Sequence, residues 1–260
     1  MNQQSFPHGL GQGIDREHRE ISLPQVLGLT PGITTFVGAG GKTTAMLLSA
    51  LQLTAQGARV MVSTSTHILP PEEKQFGPCF TPDQQTAIQN QLSRHRLAVV
   101  TGPANEKGKL TSCRQEDWPL LAAQVEYLLV EGDGSRRLPC KVPQQWEPVI
   151  APKTNRVVGV LGLSALGRPL QEVCFNSQLA EERWNTSGKE PLSVQQMAQI
   201  ATQPWGIQKG ADKAEFVLLL NQMDVCSPDQ LHKLITEIHR IQPGLRVVQG
   251  ALQQMKWEEA

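Results

Sequence analysis

Ile33-Thr34-Thr35-Phe36-Val37-Gly38-Ala39-Gly40-Gly41-Lys42-Thr43-Thr44 decides the fold of this chain. Ile33–Val37 is a short run of strand character, and three glycines follow within four residues. From Lys42 to Gln56, Met46, Leu47, Ala50 and Leu51 recur at helical spacing, and Gly57 stops the pattern. A strand that turns through glycines into a helix aims backbone N–H groups and the positive end of the helix dipole at one point, which suits an anion. On this pattern the backbone of Gly38, Ala39, Gly40, Gly41 and Thr44 holds phosphate oxygens. Lys42 neutralises β- and γ-phosphate charge, and the Thr43 hydroxyl holds Mg²⁺. The longer loop G-x-x-x-x-G-K-[ST] is absent, because Phe36 stands five positions before Gly41.

The same alternation continues along the chain. Further buried-strand candidates are Arg59–Ser63, Leu97–Thr101, Tyr127–Glu131, Val157–Leu161, Phe216–Asn221 and Arg246–Gln249. Three helix starts carry a hydroxyl followed three residues later by glutamine: Thr81 with Gln84, Ser193 with Gln196, and Ser227 with Gln230. In each, the hydroxyl can cap an early N–H while the glutamine reaches back. Near-continuous apolar strands alternating with capped helices predict an α/β protein with a mostly parallel sheet, flanking helices and a P-loop NTPase-like core. The expected organisation is a poorly ordered tail at 1–20, one nucleotide-binding domain at 21–250 and a C-terminal tail at 251–260. Residues 132–155 read as one long functional loop, since structureless stretches of that length are otherwise uncommon.

Composition narrows the function. Of 260 residues, 39% are hydrophobic and 22 are glycine, close to the ~45–50% apolar usage of globular domains. That excludes a largely disordered chain. Lys and Arg total 24 and balance 24 Asp and Glu, so no basic excess argues for a nucleic-acid partner. The cysteines at 79, 113, 140, 174 and 226 form no C-x-x-C pair. Scattered thiols, no leader-like N-terminus and no apolar run of ~18 residues predict a cytoplasmic protein without a membrane span.

Chemistry-bearing residues gather at the predicted strand ends, where ligands of parallel α/β sheets bind. Tyr127–Val130 leads to Glu131 and Asp133, either of which can complete a Mg²⁺ shell or orient a water or hydroxyl; Asp133 is placed with Thr43 as a metal ligand. Ser63-Thr64-Ser65-Thr66-His67 brings hydroxyls and a candidate general base, His67. Arg136 and Arg137 follow the acidic strand end and can clamp a phosphate or carboxylate of the substrate; Lys141 lies in the same loop. Asn221 and Asp224, after Val217–Leu220, resemble the N-K-x-D strand end by which G proteins read guanine, with Gln222 in place of the lysine. Asn and Asp there are equally turn and cap formers.

The short form G-x-x-G-K-T-T resembles the phosphate loop of the Mur ligases. With S-T-S-T-H-I, L-L-V-E-G-D-G-S-R-R-L-P and L-L-L-N-Q-M-D in this order, the chain from about Leu27 to Val248 is similar to the YqeC family. These are bacterial proteins regarded as accessory factors of selenium-dependent molybdenum hydroxylases. The resemblance implies a nucleotide-binding fold using Mg²⁺ with ATP or GTP. It also implies, as partner, a molybdenum hydroxylase or its cofactor-maturation proteins. A small-molecule kinase or ligase and a non-catalytic nucleotide-gated scaffold are the alternatives. The chain departs from the family at Gly132, where alanine is usual, at Gln222, and at Phe175-Asn176-Ser177, where relatives often carry a His-Arg pair.

Overall fold

The computed structural model describes Gly11, Gly13, Ile14 and residues 20–260. The strands in chain order are β1 (Gly13–Ile14), β2 (Glu20–Ile21), β3 (Gly32–Gly38), β4 (Val60–Thr64), β5 (Cys79–Phe80), β6 (Leu97–Val100), β7 (Tyr127–Glu131), β8 (Cys140–Lys141), β9 (Thr154–Gly162), β10 (Cys174–Phe175), β11 (Glu215–Asn221), β12 (Arg246–Ala251) and β13 (Lys256–Glu259). Among the described residues, eleven of them form one sheet in the order β2-β1-β13-β12-β11-β9-β3-β7-β4-β6-β5. The eight strands from β12 to β5 are parallel. All seven strands expected from the apolar runs are present within one to three residues of their expected bounds.

The sheet is mostly parallel because apolar side chains cover both of its faces. Along β11, Val217 and Leu219 pack into one hydrophobic cluster, while Leu218 and Leu220 pack into another on the opposite face. On the other flank, Val60 and Val62 of β4 share the first cluster, and Met61 joins a third. Helix α1 (Lys42–Ala55) covers the first face through Ala45, Met46, Leu47, Leu48, Ala50 and Leu53. Burial of such side chains stabilises by roughly 1.5–3 kcal/mol each before entropy is counted, so the run pattern and the two-sided sheet are one fact.

Strand β3 lies at the point where the connections diverge. The chain goes from β3 to β4, out to β5 at the edge and back through β6 and β7 on one flank, then crosses to β9, β11 and β12 on the other. The carboxyl end of β3 therefore opens into the crevice where parallel sheets bind ligands. The glycine loop occupies that crevice.

Three expectations are corrected. The segment 251–260 is no tail: Lys256–Glu259 is strand β13, antiparallel to β12 and parallel to β1. Its one apolar residue, Trp257, is 2% exposed, and burial of that ring holds the edge in place. Most of the tail expected at 1–20 lies outside the described residues, but Gly13–Ile14 and Glu20–Ile21 pair as strands. The helix expected to start at Thr81 begins four residues later, at Gln85 (Gln85–His95). Gln84 instead reaches back to the Thr81 N–H at 2.9 Å to close a turn. The helices starting after Ser193 and Ser227 are capped as expected, each hydroxyl accepting from the N–H of the glutamine three residues on. No helix among the described residues is long and apolar enough to cross a membrane.

Candidate functional site

The glycine loop turns tightly because flanking strands press on it. A Cβ at Gly40 would lie 2.3 Å from the Gly162 nitrogen, and one at Gly41 2.3 Å from Asn221 Nδ2. Both glycines have positive φ, 79° and 131°, which side chains rarely adopt. The loop's first three N–H groups are taken by the protein. Gly38 donates to Asp133 at 3.1 Å; Ala39 donates to the Val160 carbonyl at 2.8 Å and Gly40 to the Leu138 carbonyl at 3.1 Å. These three amides fix the loop and are not offered to a ligand, a correction to the sequence expectation. The N–H groups of Gly41, Lys42 and Thr43 have no hydrogen-bond partner among the described residues. They sit at the first turn of a 14-residue helix, where unpaired donors and the dipole favour an anion.

Two carboxylates face this turn from the end of β7. Thr43 Oγ1 donates to Glu131 Oε2 at 2.6 Å. Burial pushes the Glu131 carboxyl above its ordinary range. The Lys42 ammonium and the Thr43 hydrogen bond oppose that shift, and Asp133 adds to it. Asp133 is fully buried and forms ion pairs with two lysines: Lys42 Nζ stands 3.4 Å from Oδ1, and Lys141 Nζ 2.9 Å from Oδ2. Lys42 Nζ also donates to the Gly38 carbonyl at 2.6 Å. Lys141 Nζ further donates to the Gly134 carbonyl at 2.7 Å and pairs with Glu147 at 2.9 Å. A chain of alternating charges, Glu147–Lys141–Asp133–Lys42, thus runs from the loop after β8 into the glycine loop.

The hydroxyl segment after β4 holds this arrangement from the side. The N–H and hydroxyl of Ser65 donate to the Glu131 carbonyl at 2.9 and 3.1 Å, and Thr64 Oγ1 accepts from the Thr66 N–H at 3.0 Å. His67 follows on the exposed surface. Arg136 and Arg137 are exposed, both with positive φ, at the tip of a turn whose Leu138 carbonyl caps Gly40. The Arg136 guanidinium lies 5.1 Å from the Phe175 ring centroid and Lys141 Nζ 5.4 Å from it. Phe175 is brought there by the parallel pairing of β8 with β10. Phe175 therefore borders the charged cluster.

Asn221 joins the loop, but as a brace. Its Nδ2 donates to the Gly40 carbonyl at 2.7 Å and its Oδ1 accepts from the Leu252 N–H at 3.1 Å. Asp224 is exposed and accepts from Gln254 at 3.1 Å. The side chain of Gln222 is held by the Ser164 hydroxyl at 2.6 Å. Glu147 escaped the sequence reading, and nothing in that reading indicated the burial of Lys141. Pro-rich loop sequence gives no period from which to infer a buried ion pair. Gly132 is packed more tightly than its place in a loop suggests, since a Cβ there would meet Thr35 Cγ2 at 2.8 Å.

The oxygen donors Thr43 Oγ1 and Glu131 Oε2 suit a hard cation such as Mg²⁺, which takes one or two protein oxygens and completes its shell with phosphate and water. Among the described residues, no group of three His, Cys, Asp or Glu side chains is placed to hold a metal by itself.

A family model described as YqeC protein matches residues 34–178, the stretch that contains the glycine loop, both carboxylates, Arg136, Arg137, Lys141 and Phe175. The uncharacterized protein YqeC of Escherichia coli (strain K12) is 31% identical over 139 residues, 53% of this chain and 54% of that protein. The chain thus spans about half the length of that relative. Among solved structures, a chain of the MinC:MinD cell division protein complex of Aquifex aeolicus superposes with a TM-score of 0.39 at 10% identity, over 86% of each chain. So loose a superposition says nothing about function.

Proposed function

The chain belongs to the YqeC family, and on that premise we propose that it binds a nucleoside triphosphate with Mg²⁺ at the glycine loop and hydrolyses it or transfers its terminal phosphoryl group. The observation that carries the proposal is the convergence of the Lys42 ammonium, the Thr43–Glu131 hydrogen bond and the open first turn of α1 at the carboxyl end of β3. The amides of Gly41, Lys42 and Thr43 would receive the β- and γ-phosphates. Lys42 would leave the Gly38 carbonyl for phosphate oxygen. Thr43 and Glu131 would hold the cation, which when bound supplies charge neutralisation between the phosphates. That assignment moves the carboxylate ligand from Asp133, whose oxygens are occupied by lysines and Gly38, to Glu131.

Arg136 and Arg137, exposed beside the site, would face the second substrate. A phosphate or carboxylate on it suits their guanidinium forks. In the cell we assign the protein to maturation of a selenium-dependent molybdenum hydroxylase, on the family resemblance. We place it in the cytoplasm, since its five cysteines are unpaired. The test is calorimetric titration of ATP and GTP, each with Mg²⁺, into wild-type and Lys42→Ala protein, with phosphate release assayed on the same samples. Lysine-dependent binding with turnover supports the proposal. Binding without turnover leaves a nucleotide-gated scaffold, and equal affinity in the two proteins removes the phosphate-loop role.

A further inference from the structure

Lys141, the last residue of the two-residue strand β8, is among the largest fully buried side chains of the molecule. Its ammonium donates to the Gly134 carbonyl at 2.7 Å and forms ion pairs with Asp133 and Glu147, each at 2.9 Å. Buried between two carboxylates, Lys141 has its charge already matched. Lys42 is differently placed, with one strong bond to the Gly38 carbonyl and a longer pairing of 3.4 Å with Asp133.

We propose that Lys141 is a positioning residue of the phosphate site: by holding Asp133, it releases Lys42 to serve the phosphate. The inference rests on the nucleotide reading above. Lys42 can turn toward a phosphate only by giving up Asp133, whose side chain is buried without exposure. A buried carboxylate stripped of its cation is strongly disfavoured, so with one lysine present Asp133 and the phosphate would compete for it. With Lys141 in place, Asp133 keeps a cation at 2.9 Å and the Gly38 N–H at 3.1 Å when Lys42 departs. Glu147, largely buried, pairs with the same ammonium at 2.9 Å and keeps it from following Lys42. The second lysine thus acts on the ligand through Asp133 alone.

A merely structural lysine would hold the 140–148 loop in place and make no such prediction about Asp133. The two roles separate in a cycle of wild type, Lys141→Met, Asp133→Asn and the double variant. Each is titrated with Mg-ATP and Mg-GTP, with thermal melts alongside. Lys141→Met is expected to weaken the better-bound nucleotide by about tenfold or more. In the double variant, with no carboxylate left to compete, affinity returns to within about threefold of Asp133→Asn. Asp133→Asn alone, close in shape and the safeguard should Lys141→Met fail to fold, binds as tightly as wild type or tighter. Wild-type affinity in Lys141→Met overturns the inference. So does a tenfold loss in Asp133→Asn, or a double variant as weak as Lys141→Met. If wild-type protein binds neither nucleotide, the nucleotide reading itself falls and takes the inference with it.

Discussion

The Thr43 hydroxyl donates to Glu131 Oε2 at 2.6 Å, joining the first turn of α1 to the last residue of β7 across 88 positions of sequence. Each partner is held from elsewhere: Thr43 by the helix, and Glu131 by the Ser65 N–H and hydroxyl on its carbonyl. The couple is therefore preorganised, and a cation bound there need not order it first.

Removing either half should act on the metal and spare the rest. Thr43→Val keeps the shape of the residue without its oxygen, and Glu131→Gln keeps the shape without the charge. Each is expected to weaken ATP binding with Mg²⁺ present by about tenfold, or roughly 1.4 kcal/mol. Affinity measured in chelator should barely move. Paired titrations with and without Mg²⁺ check this. A loss of equal size in chelator would place both residues on the nucleotide and not on the cation.

Asn221 shows why a strand-end motif can mislead. The G-protein-like pattern suggests a base reader, yet both ends of its amide are occupied, by the Gly40 carbonyl and the Leu252 N–H. Asn221→Ala leaves both groups buried and unpaired, which costs roughly 1–3 kcal/mol. Urea unfolding should show that loss. ATP and GTP affinities should fall together, because the glycine loop loses a support common to both. A change in the ratio of the two affinities would restore the base-reading role.

The fold was legible where physics leaves a periodic trace. Strands buried on both faces must be apolar throughout, so Val217–Leu220 and Tyr127–Val130 could be found without a structure. The glycine loop was legible because Gly40 and Gly41 meet neighbours that admit no Cβ. What could not be read was the use of each group. Gly38, Ala39 and Gly40 look like phosphate binders in sequence, but their N–H groups are consumed by Asp133, Val160 and Leu138, residues 95 to 121 positions away. Lys141 ends a two-residue strand and Glu147 follows it in a stretch without sequence period, and only the folding of this segment over Asp133 shows that they belong to the site.

The C-terminal edge gives a second test of where sequence runs out. Lys256-Trp257-Glu258-Glu259 has one apolar residue among charges, the pattern of an exposed segment. Yet Trp257 is packed in the core, and its indole N–H donates to the Ile21 carbonyl at 2.9 Å. Trp257→Ala is expected to cost roughly 3–5 kcal/mol, as for other buried aromatic truncations. A disposable tail would show a change within about 0.5 kcal/mol. The urea midpoint separates the two at once.

Cys113 yields a pH dependence whose sign is fixed by burial. Its thiol packs beside Ser63 Oγ and the Val100 carbonyl, both at 3.5 Å. Burial pushes its pKa from the ordinary 9.0 up to about 11; the Ser63 hydrogen bond opposes this and the Asp117 charge adds to it. The folded state therefore keeps the proton to higher pH than the unfolded chain. Its contribution to stability is complete below pH 9 and is lost as pH rises toward 11. The slope is at most about 1.4 kcal/mol per pH unit. Cys113→Ala should be less stable than wild type at pH 8, because a buried side chain has been cut back. That deficit should shrink steadily between pH 9 and 10.5, while other titrations cancel between the two proteins. Urea unfolding of both at three pH values measures it. A deficit that stays constant would mean the thiol ionises as readily in the folded protein as in the unfolded chain.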